Sequence, residues 1–289
     1  MGVGNFDLFL TMIRNRKSMK LNRDMIGFSI KDTVGPVTKE EAELYAKATN
    51  DDNPLYKEDE SLTPPMFIAR LVHPMMLNIM VNKDLKLNIL RMVHGQQSVS
   101  WKGGLKTGDM LDVTLEIESI TDTSAGEFLE LSFEAKVKEE LVASAKIGLM
   151  VRGKASGAKK KKTPPEEKIP VFTVEIPTTA DQALRYCEAS GDHNFIHKNN
   201  FLAKLSGLPR TILHGMCGLA MATNGLAKEL VDGDIRKLEH IEVRFSHPSI
   251  PGEPLTLVGY EKTDDGVPFE LLNKKGKPVL KNGLIRLKN

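Results

Sequence analysis

The chain has 289 residues, about two domains on the usual length prior. Its 40 basic and 38 acidic residues leave a formal charge of +2, without the basic excess of a dedicated nucleic-acid binder. Two cysteines, Cys187 and Cys217, exclude a disulfide scaffold and a four-cysteine zinc site, and no apolar run reaches the ~18 residues of a membrane span.

At the N-terminus, apolar Phe6 to Leu10 precedes Arg14, Arg16 and Lys17, the reverse of a secretory leader. A short docking helix is expected there. Thr38-Lys39-Glu40-Glu41 fits a capping box, so a helix should start at that point. Ala42, Tyr45 and Ala48 form its packed stripe, and Asn50 suits a left-handed stop. A polar loop, Asp51 to Tyr56, leads to an apolar run, Val72 to Val81, read as a buried helix. Strand-like alternation then covers about 110–119, 127–138 and 141–151. Leu129, Leu131, Phe133 and Ala135 alternate with Glu130, Ser132, Glu134 and Lys136, one buried face and one wet face.

Residues 153–168 combine small residues, Lys159 to Lys162 and Pro164-Pro165, the composition of a solvated linker. The same order of elements then recurs. A shift of 141 places 36–85 on 177–226 without a gap, with 12 of 50 positions identical against roughly 3 expected by chance. The identities include Tyr45/Tyr186, Asp51/Asp192, Asn53/Asn194 and His73/His214. Thr179-Ala180-Asp181-Gln182 repeats the capping box, Gly191 the helix stop, and Ile212 to Ala222 the buried helix. Alternation returns over about 255–261, 267–272 and 279–287. The chain is read as α+β: an N-terminal unit 1–152, a linker 153–168 and a C-terminal unit 169–289. Each unit wraps an antiparallel sheet around one buried helix.

Three residues with useful chemistry crowd the second loop: Asp192, Asn194 and His197. A carboxylate beside an imidazole can make a tuned base near neutral pH. His214-Gly215-Met216 opens the second buried helix, where N–H groups lack partners and glycine admits a ligand to the backbone, as an oxyanion hole requires. Read singly, the loop also fits Asp and Asn bonding their own backbone, and Gly215 fits plain helix-start packing. The copies sharpen the choice. Tyr56 stands where the second copy has His197, Pro74 where it has Gly215, and Asn82 where it has Thr223. One competent site, in the second copy, is the expectation. His193 and His197 have a metal-like spacing, but they fall on a loop, so no metal is expected.

The run Ser190-Gly191-Asp192-His193-Asn194-Phe195-Ile196-His197, followed by His214-Gly215-Met216, resembles the motif of the MaoC-like dehydratases and (R)-specific enoyl-CoA hydratases. Phe245, Pro248, Gly252 and Glu253 resemble that family's strand-and-turn signature. Phe195 replaces a usual proline and Glu253 a usual aspartate. Trp101, Gly108 and Asp109 look like the first copy's relic of the same turn, at a shift of 144. The resemblance implies two tandem hot-dog units, the first lacking the catalytic residues and making room for the acyl chain. It implies that Asp192 and His197 activate a water, with the Gly215 N–H holding the thioester oxygen. Asn194, Thr223, His214 and Met216 would contact substrate. The reaction implied is hydration of a trans-2-enoyl thioester to the (3R)-hydroxyacyl thioester, or its reverse. No cofactor is implied beyond coenzyme A as part of the substrate. The partners implied are an acyl-CoA or acyl-carrier thioester and a second copy of the chain in a homodimer, with no nucleic acid. A carrier-protein dehydratase, a thioesterase and a non-catalytic acyl-binding protein stay open as alternatives. A polyanion-binding role for Lys159 to Lys162 is more distant. The C-terminal Arg286-Leu287-Lys288-Asn289 carries no Ser-Lys-Leu address, so a cytoplasmic location is expected, or a peroxisomal one in a eukaryote.

Overall fold

The computed structural model describes residues 5–18, 20–153 and 169–288. Helix α1 (Asn5–Asn15) is the expected docking helix; Asn15 Nδ2 donates to the Leu87 carbonyl, 3.0 Å. The first half continues with β1 (Ser29–Val34), α2 (Lys39–Ala48), the short α3 (Leu55–Glu58) and α4 (Ile68–Val81). Strands β2 (Met92–Trp101), β3 (Leu111–Thr123), β4 (Gly126–Val137) and β5 (Glu140–Arg152) follow. The second half repeats the order with β6 (Pro170–Ile176), α5 (Gln182–Ser190), α6 (Asn200–Leu205) and α7 (Gly215–Val231), then β7 (Leu238–Phe245), β8 (Leu255–Tyr260), β9 (Val267–Asn273) and β10 (Pro278–Leu287). Apart from Gly153, the segment expected as a linker lies outside the described residues.

Among the described residues, ten strands form one sheet in the order β1-β3-β4-β5-β2-β7-β10-β9-β8-β6, antiparallel at every pairing. The two halves are five-stranded copies joined along β2 and β7. At that seam Ser98 pairs with Glu242, its own counterpart at the shift of 144, so a local twofold axis passes through the pair. Each half curls around its long helix, and the fold is the double hot-dog. Met75 and Ile79 of α4, and Leu219, Ala222 and Leu226 of α7, are sealed against the inner face of the sheet. The alternation read in β4 is real: Leu129, Leu131, Phe133 and Ala135 are buried, and Glu134 is exposed.

The capping boxes behave differently. Thr38 caps α2 as expected, accepting from Glu41 N at 3.2 Å. In the second copy the helix starts later, with Asp181 at the cap. Gln182 still reaches back to the Thr179 N–H, 3.2 Å, but its amide also donates across to the Ala48 carbonyl, 2.7 Å. That contact between copies draws it inward. Both expected stops are left-handed, Asn50 at φ 54° and Gly191 at φ 76°. Tyr45 and Tyr186, identical across the repeat, meet each other, with hydroxyls 3.3 Å apart inside the core.

Four strands escaped the alternation pattern: the two sheet edges, β1 and β6, and the two seam strands, β2 and β7. Edge strands expose most of their residues, so they carry little apolar alternation. In β2 the phase breaks at a one-residue bulge at Gly95, between His94 and Gln96.

Candidate active site

Ser190 closes α5 by donating to the Tyr186 carbonyl, 2.7 Å, and accepting the Asp192 N–H, 3.2 Å. Gly191 then turns the chain, and Asp192 Oδ1 accepts the Asn194 N–H, 3.1 Å. Asn194 Oδ1 accepts the Ile196 N–H, 3.3 Å, and starts a single 3₁₀ turn, Phe195–His197. These side-chain-to-backbone bonds are the local chemistry of Asx turns. Here they hold Asp192 and His197 on the same side of the loop.

One side-chain oxygen or nitrogen from each of Asp192, His197 and His214 lies within 4.8 Å of the other two. His197 Nδ1 is 2.8 Å from the Ile212 carbonyl, so that nitrogen carries the proton and Nε2 keeps a lone pair. The His214 ring stacks on His197 with centroids 3.6 Å apart and tilts against Tyr186 on its other side. His214 Nε2 donates to the Asp192 carbonyl, 3.0 Å, which braces the loop from the helix start. Burial lowers the pKa of His197 and drives that of His214 down to about 3, so both are neutral at pH 7. Burial alone would raise the pKa of Asp192. The imidazoles of His214, His73 and His197, with the Asn194 N–H, hold it below the ordinary carboxylate value. An ionised carboxylate thus faces a neutral imidazole.

The trio also has metal-type donors, two imidazoles and a carboxylate.

Gly215 is the first residue of α7, and no side chain caps this helix. Its first-turn N–H groups, with the positive end of the helix dipole, face the loop. A Cβ at Gly215 would lie 2.7 Å from the Phe245 ring, so only glycine lets that ring pack against the helix start. Met216 and Asp192 line a cavity of about 80 Å³ between the two units. The N-terminal unit supplies most of its wall, including Val72, Met76, Val99 and Phe133. Of the other expected site residues, Asn194 is committed to its turn, and the Thr223 hydroxyl donates to the Leu219 carbonyl, 2.8 Å, with Thr223 only 1% exposed.

Sequence reading missed the polar groups that the first unit sends into this cavity: His73, His94 and Gln97. His73 was visible as the repeat partner of His214. For His94 the alternation gave no signal, because the bulge at Gly95 resets the strand.

Residues 160–271 match the model of the MaoC like domain, and residues 24–144 match that of the FAS1-like dehydratase domain region. The chain is 32% identical over 181 residues to 3-hydroxyacyl-thioester dehydratase Y of Mycobacterium tuberculosis, covering 59% of this chain and 62% of that one. It is 41% identical over 86 residues to the peroxisomal enoyl-CoA hydratase 2 of Arabidopsis thaliana, covering 30% of this chain and 28% of that one. The matches thus span under two thirds of these relatives. A MaoC-like dehydratase from Phytophthora capsici superposes with a TM-score of 0.80 at 24% identity, over 93% of this chain and 98% of that one. Among the described residues, no helix is long and apolar enough to cross a membrane.

Proposed function

Because this chain belongs to the MaoC-like dehydratases, in double hot-dog form, we propose that it is a hydro-lyase that interconverts trans-2-enoyl-CoA and (3R)-hydroxyacyl-CoA. The observation that carries this reading is the pairing of ionised Asp192 with neutral His197, next to the uncapped start of α7. A water held between the Asp192 carboxylate and His197 Nε2 gives its proton to the imidazole as its oxygen bonds to C3. Negative charge moves to the thioester oxygen, where the Gly215 N–H stabilises it. Such donors contribute about 3–4 kcal/mol in other oxyanion holes. The proton then passes to C2, and the 3-hydroxyacyl thioester leaves. His214 acts here as a positioning residue, through its bond to the Asp192 carbonyl. The acyl chain runs into the cavity between the units. Catalysis requires no cofactor in this scheme, and coenzyme A enters only with the substrate. A homodimer and a cytoplasmic or peroxisomal compartment belong to the same reading.

The test is loss of the conjugated enoyl-thioester ultraviolet absorbance with short, medium and long trans-2-enoyl-CoA, with the chirality of the product determined. Wild type should give the 3R product, and Asp192→Asn and His197→Ala should give none above background. Equal rates in the variants would defeat the site assignment. A folded wild type inactive on every CoA ester but active on carrier-protein esters would move the substrate to the carrier-bound class.

A further inference from the structure

The buried positions of β2 are Gln97, Val99 and Trp101, and Gln97 also lines the cavity. Val99 and Trp101 point inward, and an unbroken strand would send the even-numbered His94 outward, with Ser98 and Ser100. The bulge at Gly95 reverses that phase, so His94 pairs with inward-facing Leu149 and its ring lines the cavity. At the same place in the other copy, 144 residues on, stands buried Leu238. The fold therefore accepts a leucine where this cavity receives an imidazole.

That imidazole is incompletely satisfied. Its Nε2 is buried without a hydrogen-bond partner. Burial drives its pKa down to about 4, so it is a neutral ring at pH 7. It packs on Phe245 with centroids 4.5 Å apart, and Phe245 in turn packs against Gly215. His94 thus sits one ring away from the proposed thioester oxygen site, on the wall that receives the acyl chain. An all-alkyl chain seated there would leave Nε2 unpaired in an apolar enclosure, which is costly. A hydroxyl would satisfy either tautomer of the ring.

We propose that His94 is a specificity-determining residue that hydrogen-bonds an oxygen on the acyl tail, making oxygenated trans-2-enoyl thioesters the preferred substrate class. This rests on the hydratase reading of the Asp192/His197 site and deepens it. Sites built around a buried hydrogen bond discriminate strongly against analogues that lack the group.

The experiment compares unsubstituted trans-2-enoyl-CoA with chain-matched analogues carrying one hydroxyl at successive tail carbons. Wild type is assayed beside His94→Leu, which installs the other copy's residue, and His94→Gln, which keeps a neutral hydrogen-bonding group. The best hydroxylated analogue should exceed the parent by on the order of 10- to 100-fold in kcat/KM in wild type. His94→Leu should abolish or reverse that ratio, and His94→Gln should keep part of it. A ratio near one for every analogue in wild type, or an unchanged ratio in His94→Leu, would overturn the proposal while leaving the hydratase reading intact. If no substrate is hydrated, calorimetric binding of the matched saturated acyl-CoA and hydroxyacyl-CoA esters reads the same ratio without catalysis. Equal affinities in wild type and His94→Leu would then overturn it.

Discussion

The loops 51–56 and 192–197 are the same turn with opposite fates. In both, the aspartate accepts the N–H of the asparagine two residues on, and that asparagine accepts the N–H two residues further. The difference is the side chain that follows. Tyr56 donates its hydroxyl to Asp51 Oδ2 at 2.7 Å, and burial raises the pKa of that carboxyl despite this bond. Asp192 has no phenol to close it off and faces imidazoles instead. The helices diverge as well. Helix α4 begins at Ile68, so Pro74 lies inside it and does not open the long helix as Gly215 does. Helix α7 begins at Gly215, directly beside Asp192 and His197. Two changes, a tyrosine for a histidine and an earlier helix start, separate a sealed turn from an open site.

This contrast can be broken by experiment. The largest effect is expected from His197→Tyr, which copies the first loop into the second. The new phenol should donate to Asp192, leave the fold intact by circular dichroism, and lower enoyl-CoA hydration by about 10²–10⁴-fold, the worth of a general base. Tyr56→His, in contrast, should create no second activity in an Asp192→Asn background, because Pro74 stands inside α4 and has no N–H to offer. Hydration by that double variant would refute the importance assigned to α7.

Gly215→Pro imports the first copy's residue. Proline is tolerated at a helix start but has no N–H, so kcat should fall about 10²–10³-fold. Gly215→Ala keeps the N–H while meeting Phe245, so it separates crowding from the lost donor. If both variants lose the same activity, the N–H is not the active element.

A smaller effect concerns pH. Burial lowers the pKa of His197 below 6.5. Its neutral, proton-accepting form therefore persists at neutral pH and is lost as pH falls through the lowered value. The acid limb of kcat/KM should lie below pH 6.5, and a limb above it would count against His197 as the base. The same sign applies to stability. His73, His94, His197 and His214 all have pKa values lowered by burial of their rings, so the unfolded chain binds more protons below 6.5. Their neutral burial costs nothing extra above pH 6.5, and stability should decline as pH falls from there.

The smallest effect on catalysis is expected from Tyr56→Phe. It should cost about 1–3 kcal/mol in urea unfolding by leaving Asp51 without its phenol, with kcat unchanged. A drop in kcat would mean that the two loops are coupled.

Much of this protein is determined locally. Capping residues, helix stops and alternation in the strands act within a few positions, so the duplicated units, their buried helices and six of the ten strands were legible in the sequence. So was the placement of Asp192 and His197 on one short loop and of Gly215 at a helix start, because both features are local. Tertiary structure decided the rest. The edge and seam strands are defined by their neighbours rather than by their own alternation. The contact of Tyr45 with Tyr186 exists only because the two copies pack about a local axis. His94 enters the cavity only because a bulge reverses its direction and the first unit is folded against the second. Such groups are brought together by long-range pairing, which leaves no periodic trace in the chain.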